Sequence, residues 1–592
     1  MLNPNNNRLN YGNILYPPNN YELDFAIGTT YSLDLDALVG SSIALGLSQE
    51  TDSNLRENPI FLLQALRSTS DKIALFCENG RIHFPNKPTQ LYILLEDMVF
   101  QANNSNNGKY SSFHPKFWLL RFISEDNKIK YKFIILSRNL TFDRSWDITF
   151  TMDGQKTEEK TDKNIAISKF IEYLIEFSTS DIKTEKMNEV KEELDYIHFD
   201  LDSKIFEDYE FILNGIDDEY SIQKQPLFND KWDELLIMSP FLSKKVIKDF
   251  NNRKNKDSNA ILITRAMSLS RLKQEDCDNF DVYTLKDVII DGEDIISDET
   301  QKILKQDIHA KMYLMENGDT SEFYLGSLNA SHNALYENIE LMIKLTSKQN
   351  KFNVKTLSED IFNGDKEGID CPFQLVDMTK IIDNPQSEGK NLDLIIKDIV
   401  KLNISGKVTS NEEEYDIELT VENFNKEEFN DSTIRISPLL KSDFVDFSEN
   451  MKFLKLTKTQ LSEFFVLSVS GEDQIIKRII KIPIAGMPED RQNDVISSII
   501  DDETAFIRYV AFLLGDDYME IPFGDGEGCE NCPKHRKTVL HMPELYEKML
   551  KTVQSNPEKF KELDYLIKTL SDDNVIPEGF EELYNTFLGV FD

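Results

Sequence analysis

Two stretches of this chain repeat one pattern in the same order, and that duplication constrains the fold more than any other feature. The first reads Phe113-His114-Pro115-Lys116-Phe117-Trp118-Leu119-Leu120, then Ile135-Leu136-Ser137-Arg138-Asn139-Leu140-Thr141, then Trp146-Asp147. The second reads Ile308-His309-Ala310-Lys311-Met312-Tyr313-Leu314, then Tyr324-Leu325-Gly326-Ser327-Leu328-Asn329-Ala330-Ser331, then Asn338-Ile339-Glu340. An H-x-K alone carries no information. An H-x-K followed twice by S-x-N and then by a carboxylate predicts two copies of one module.

The surroundings say what kind of module. Apolar runs at Tyr21–Gly28, Lys72–Cys77, Leu91–Leu95, Phe113–Phe122 and Lys130–Leu136 read as strands, and 165–177 reads as a helix. A very acidic, lysine-dotted connector follows, and the pattern restarts. Leu235–Pro240, Ala260–Thr264, Ile308–Met315 and Glu322–Leu325 read as strands, with Leu242–Asn251 as a helix. Strands alternating with helices predict an α/β fold with a mixed or parallel sheet. Beyond about Asn391 the texture changes: Val400–Ile404, Tyr415–Val421, Thr433–Ile436, Phe464–Ser470 and Ile475–Ile482 predict a β-sandwich-like domain. After Gly486 the pattern turns helical, broken by a loop at Gly524–Gly528. The expected organisation is therefore a first half over 1–180, an acidic connector over 181–229, a second half over 230–385, a β-rich domain over 386–485 and a helical region over 486–592.

On a strand, side chains at i and i+2 share a face. His114 and Lys116 would then point together, as would His309 and Lys311, with Ser137/Asn139 and Ser327/Asn329 at the end of a neighbouring strand. Two such halves packed face to face would gather two imidazoles, two ammonium groups and two amides around one cavity. That inventory suits a phosphate: lysines neutralise charge, amides and hydroxyls donate, one imidazole attacks and the other protonates the leaving oxygen. Asp147 and Glu340 would hold each ring's second nitrogen and fix its tautomer. This chemistry needs no metal and no cofactor.

The paired motifs resemble those of the phospholipase D superfamily, whose pattern is H-x-K-x4-D followed by G-S-x-N. The second copy is the nearer match, with Gly326, Ser327 and Asn329 present and Glu316 at the aspartate position. The first departs twice, with Arg121 at the aspartate position and Leu136 in place of the glycine, and it has a longer loop between Lys116 and Ser137. The resemblance spans about residues 20–350. It implies two phospholipase D-like α/β/α modules packed as a pseudo-dimer, and a covalent phosphohistidine. By motif, His114 and His309 become nucleophile and general acid in either order. Lys116, Lys311, Asn139 and Asn329 would bind the phosphate, supported by Ser137 and Ser327, and Asp147 and Glu340 would orient the histidines.

Composition bears on partners and compartment. The 592 residues carry 66 basic and 104 acidic side chains, a net charge of −38, with 40% hydrophobic residues. Such a chain repels nucleic acid and anionic lipid at long range, so positive charge must be concentrated at the site or supplied by a partner. No run approaches a membrane span, the N-terminus has no signal-peptide pattern, and five cysteines in so long a chain fit a reducing compartment. The cytoplasm is the expected location. There is no G-x-x-x-x-G-K-[ST] loop, so any ATPase would be a separate subunit.

The H-P-K form with Ser-Arg-Asn-Leu-Thr resembles the phospholipase D-like nuclease domains of bacterial restriction and anti-phage systems. This implies a nuclease acting on nucleic acid, DNA before RNA, with an ATPase or helicase partner. Homo-oligomers stay open. Two rival readings are a phospholipid-hydrolysing phospholipase D, which would release choline or phosphatidic acid from vesicles, and a decayed phosphate-binding scaffold, which would tolerate loss of either histidine.

Weaker signals remain. Cys529-x-x-Cys532-x-x-His535 with His541 has zinc-like donors at compressed spacing, against the alternative of a reduced loop pair. Lys244, Lys245, Lys248, Arg253, Lys254, Lys256, Arg265, Arg271 and Lys273 form a basic stretch that could follow a nucleic-acid backbone or simply be solvated. Arg138 and Arg144 flank the first S-x-N, and His332 follows Asn329 closely enough to line a cavity. His83 and His198 match no motif.

Overall fold

A computed structural model describes residues 11–46, 59–103, 111–142, 145–286, 307–363, 371–381, 392–411, 414–429, 432–471, 474–514 and 558–570, with a few isolated positions besides. The fold is mixed α/β, and two large sheets hold the repeated motifs. The first has seven strands: β1 (Glu22–Thr30), β2 (Ile73–Glu78), β3 (Val99–Ala102), β4 (Phe117–Ile123), β5 (Ile129–Leu136), β6 (Thr149–Lys156) and β7 (Ile197–Phe199), in the order β3-β2-β1-β4-β5-β6-β7. The second has eight: β8 (Asp208–Asn214), β9 (Trp232–Met238), β10 (Lys254–Ile263), β11 (Phe280–Leu285), β12 (Met312–Asn317), β13 (Thr320–Gly326), β14 (Glu340–Lys348) and β15 (Phe373–Leu375), in the order β15-β11-β10-β9-β12-β13-β14-β8.

The two orders repeat one another over seven strands, with β15 added at one edge of the second sheet. Three parallel strands open each repeat, β3-β2-β1 in one and β11-β10-β9 in the other. An antiparallel run then carries the motifs: β4-β5-β6 in the first sheet, β12-β13-β14 in the second. The edge strands β7 and β8 occupy matching places but enter from opposite ends of their repeats. Period-2 alternation explains how each sheet is covered on both sides. In β4, Phe117 and Leu119 belong to a core shared by the two sheets, while Trp118, Leu120 and Phe122 face helices. In β12, Met312 and Leu314 enter the same shared core, and Tyr313 and Met315 turn away from it. Phe133 of β5 meets Phe211 of β8 edge-on at 4.6 Å between ring centres.

Three expectations change. Leu91–Leu95 is not a strand but part of a 3-10 helix, Gln90–Met98, which leads into β3. Its run of apolar residues is buried at every position, and such a run has no periodicity to separate helix from strand. Val400–Ile404 is not a strand either; a helix, Leu392–Ile399, ends there and the strand Ile404–Asn411 begins. The acidic stretch from 181 is folded, not a bare connector. It contributes a helix, Asp181–Glu193, and the strands β7 and β8, one to each sheet. Met187, Val190 and Leu194 anchor it in the shared core, and the buried Lys183 caps backbone carbonyls of Ser70 and Ile73 at 2.8 Å.

Residues beyond 390 build two further sheets, of four and five strands, around one core that includes Ile417, Leu419, Ile436, Leu467 and Val469. Ile82–His83 of the first half joins the five-stranded sheet through Arg478 and Ile479. The helices Arg491–Ile499, Glu503–Leu514 and Glu558–Leu570 pack their apolar sides onto the core beneath helices Leu35–Gly46 and Pro59–Thr69. The Gly524–Gly528 loop and the cysteine–histidine cluster at Cys529, Cys532, His535 and His541 lie outside the described residues.

Candidate active site

Each H-x-K lies in the extended segment just ahead of its strand, not on it, before β4 in the first half and β12 in the second. The two copies are built alike. Lys116 Nζ donates to the His114 carbonyl at 2.9 Å, and Lys311 Nζ donates to the His309 carbonyl at 2.6 Å. Both lysines are fully buried. Each serine follows directly on the next strand. Ser137 Oγ accepts from the Ile148 amide at 2.9 Å, and Ser327 Oγ accepts from the Leu341 amide at 3.1 Å. Each serine hydroxyl then donates to the carboxylate of its own half, Ser137 to Asp147 and Ser327 to Glu340.

The histidines do not pair within their own halves. His114 Nδ1 faces Glu340 Oε2 at 2.9 Å, and His309 Nδ1 faces Asp147 Oδ1 at 3.2 Å. The exchange follows from two short parallel bridges between the repeats. Phe113 pairs with Ile339, placing the His114 amide 3.0 Å from the Ile339 carbonyl. Asp307 and Ile308 pair with Ser145 and Trp146, placing the His309 amide 2.8 Å from the Trp146 carbonyl. Each histidine is thus seated beside the other half's carboxylate. The side-chain oxygens of Asn139 and Asn329 are both buried with no partner among the described residues. Orphaned acceptors at matching places mark polar groups that a bound molecule would complete.

The electrostatics of the two pairs differ. Burial lowers His309 to about 3, and the ammonium of Lys311 adds to the shift against the pull of Asp147. Burial would raise Asp147, but its hydrogen bond and charge pairing with His309 carry it down to about 2. Burial likewise holds His114 well below the ordinary imidazole value, with Lys116 and Lys311 both contributing. Burial pushes Glu340 up to about 8 against the pull of Lys116. Each lysine therefore acts on the histidine of the other half as well as its own, which places all four groups in one electrostatic field. At neutral pH two ammonium groups stand against one ionised carboxylate. The remaining positive charge complements the single negative charge of a phosphodiester.

The departures from the H-x-K-x4-D and G-S-x-N spacing are structural. Arg121 is 4% exposed and binds Asp24, Glu189 and Glu193, away from the histidines. Glu316, at the equivalent place, accepts from the Val354 amide at 2.5 Å and Gln349 Nε2 at 2.6 Å, tying down the helix Val354–Ile361. Gly326 has φ +150°, and a Cβ there would lie 2.4 Å from the Leu341 carbonyl oxygen. Glycine is needed for that close approach. Leu136, its counterpart, is simply packed in the core.

Several participants gave no motif signal. Tyr31 sets its ring 5.1 Å from His114 and 5.8 Å from Lys116 Nζ. Asn338 Nδ2 donates to Glu340 at 3.0 Å, and Ser145 Oγ donates to Asp147 at 2.7 Å. Arg265, read in the basic stretch, donates to the Ile308 carbonyl at 2.6 Å, next to His309. Much of that stretch is spent on the fold: Lys244 pairs with Asp276, and Arg253 holds the carbonyls of Leu227 and Asp230. His332 is exposed, its ring on Tyr336 at 4.6 Å. His83 bonds Asp34, and His198 bonds the Glu159 carbonyl.

Lys397, from the helix after residue 390, donates to the Ser111 carbonyl and to Ser112 Oγ, while Glu78 accepts from the Phe113 amide at 2.6 Å. Together they clamp the segment that carries His114. Lys397→Met is expected to lower the turnover rate about 10-fold, in the range seen when groups that orient a site residue are lost, with KM little changed and Lys397→Arg restoring most of it. Equal rates for Lys397→Met and wild type would show that the clamp is dispensable.

No family model matches the chain, and no curated protein does. Among solved structures, the yeast tyrosyl-DNA phosphodiesterase is similar at 11% identity and TM-score 0.35, covering 57% of this chain and 85% of that one. The polyphosphate kinase from Porphyromonas gingivalis is similar at 11% identity and TM-score 0.32, covering 65% and 49%. The phosphatidylserine synthase of Haemophilus influenzae is similar at 9% identity and TM-score 0.33, covering 64% and 87%. What this chain's own site can do rests on its residues.

Proposed function

We propose that this chain is a phosphodiesterase whose two halves form a pseudo-dimer around one site, cleaving nucleic acid through a phosphohistidine. The observation that carries the reading is the exchanged pair of His–carboxylate contacts, flanked by two buried lysines. One histidine Nε2 attacks phosphorus as the bond to the leaving oxygen breaks, and the other imidazole, which takes up a proton as the phosphate anion enters beside it and favours its charged form, gives that oxygen its proton. Water then attacks phosphorus, its proton passes to the second imidazole, and the P–N bond breaks. Lys116, Lys311, Asn139 and Asn329 hold the non-bridging oxygens throughout, and no step calls on a metal.

The H-P-K and Ser-Arg-Asn-Leu-Thr form of the first copy supports DNA as substrate and a role in bacterial anti-phage defence or restriction, in the cytoplasm. A net charge of −38 supports delivery of the strand by a partner such as an ATPase or helicase, since a free acidic surface slows encounter with DNA. The test is a cleavage assay in EDTA on plasmid, single-stranded DNA, RNA and phosphatidylcholine vesicles. Cleavage of a nucleic acid that survives EDTA is expected. Choline release with intact nucleic acid would replace the nuclease reading with a lipase one, and cleavage abolished by EDTA would overturn the paired-histidine mechanism.

A further inference from the structure

The two halves depart from each other most around their S-x-N segments. In the second half Leu328, between Ser327 and Asn329, is fully buried in an apolar core, and Leu242 bridges to Ala330. The space beside that asparagine is filled. In the first half the same position is Arg138, and a cavity of about 230 Å3 lies between the segment 138–142 and the helices Tyr11–Leu15 and Leu35–Gly46.

Both walls of this cavity are unusual. The helix turns Ala37, Gly40, Ser41 and Ala44 to it, small residues at the spacing of one helical face. A Cβ added at Gly40 would meet nothing within 4 Å. Opposite stand Arg138, Asn139, Thr141 and Phe142. Thr141 is 7% exposed, yet its hydroxyl has no partner among the described residues, and the Asn139 side-chain oxygen is likewise orphaned. Arg138 Nη2 donates to the Thr141 carbonyl at 2.7 Å, which fixes the plane of the guanidinium. Phe142 stays 62% exposed although its amide is anchored on Asp34 at 2.9 Å.

We infer that this cavity is a subsite for one nucleobase of the strand whose phosphate lies between His114 and His309, an inference that rests on the function proposed above. A guanidinium plane and an exposed phenyl ring supply faces on which any base can stack. The Thr141 hydroxyl and the Asn139 oxygen supply buried hydrogen-bonding groups for a base edge. Asn139 joins the two sites, since it lines the cavity and belongs to the phosphate-binding set. Among the described residues this cavity lies beside the S-x-N of the first half, where Arg138 stands in place of the buried Leu328, so the base is held on one side of the scissile phosphate, and the strand is read with a direction.

The test is calorimetric binding of deoxynucleoside monophosphates, deoxyribose 5-phosphate and inorganic phosphate to the full chain. A nucleotide is expected to bind at least ~10-fold more tightly than the sugar phosphate, within the range that base–aromatic stacking supplies. Gly40→Leu, which fills the cavity from a helix position, is expected to bring the nucleotide down to the level of the sugar phosphate. Its melting temperature should not fall, because leucine is the better helix former. Equal binding of nucleotide and sugar phosphate by the wild type, or a preference that survives Gly40→Leu, would overturn the subsite alone. Failure of all three phosphates to bind would overturn the phosphodiesterase reading, and the subsite with it.

Discussion

Replacing His309 with alanine, or His114 with alanine, is expected to lower phosphodiester cleavage about 10^4-fold or more while the fold survives. Neither loss should be partial. One imidazole must bond to phosphorus and the other must protonate the leaving oxygen, so removing either stops a different half of one step, and groups acting as a unit fall together. The variants should also differ in kind. With an activated aryl phosphodiester, the variant lacking the general acid should still form the phosphohistidine and accumulate it, readable as an added phosphoryl group by mass spectrometry on the surviving histidine. The variant lacking the nucleophile should form none. Retention of more than a few per cent of the rate by either variant would sink the paired mechanism.

The same assay has an expected pH limb. Glu340 is pushed up to about 8 by burial. Below that pH it is protonated and the site carries one net positive charge; as pH rises through it, the carboxyl ionises and that charge is lost. Cleavage should therefore fall on the alkaline side, with the limb removed in Glu340→Gln.

The second large effect is on stability. Placing an aspartate at position 121 is expected to destabilise the chain by about 3–5 kcal/mol, the cost of breaking a buried ion pair. Arg121 satisfies Asp24, Glu189 and Glu193 at once, and Tyr131 and Lys156 also reach Glu193. Arg121→Asp would leave four carboxylates in that cluster with Lys156 and Lys186, both partly exposed, to offset them. Denaturant unfolding of the variant checks this, and a loss under about 1 kcal/mol would mean the cluster relaxes to solvent. Arg121→Met, which leaves the three acids to Lys156 and Lys186 and adds no charge, should fall between wild type and Arg121→Asp.

This pair of predictions separates what a motif says from what a fold does with it. Position 121 in one repeat and 316 in the other share a register, and sequence reading ranks Glu316 as the nearer match. Neither belongs to the site. Both are structural anchors near the far ends of β4 and β12, one cationic and one anionic, each matched to its own neighbours. The motif spacing located them; nothing local showed which partners they would meet.

From the sequence alone, the paired motifs and their order were legible. The sequence reading set each H-x-K on a strand; the structure sets it just ahead of one, with an S-x-N behind the next, because a β-strand delivers residues at its ends to one edge of a sheet whatever lies elsewhere. The alternation of apolar runs predicted the α/β repeat for the same local reason, and it failed at Leu91–Leu95, where every residue is apolar. Tertiary structure alone decided the pairing across the site. Asp147 serves His309, 162 residues away, and Glu340 serves His114, 226 residues away. That exchange depends on two bridges between separate sheets, and no spacing within one repeat encodes the register of contacts with another. The cavity beside Arg138 and the reach of Lys397 to Ser112 have the same origin: each is a contact between elements that local pattern leaves independent, fixed only when the cores they share are packed.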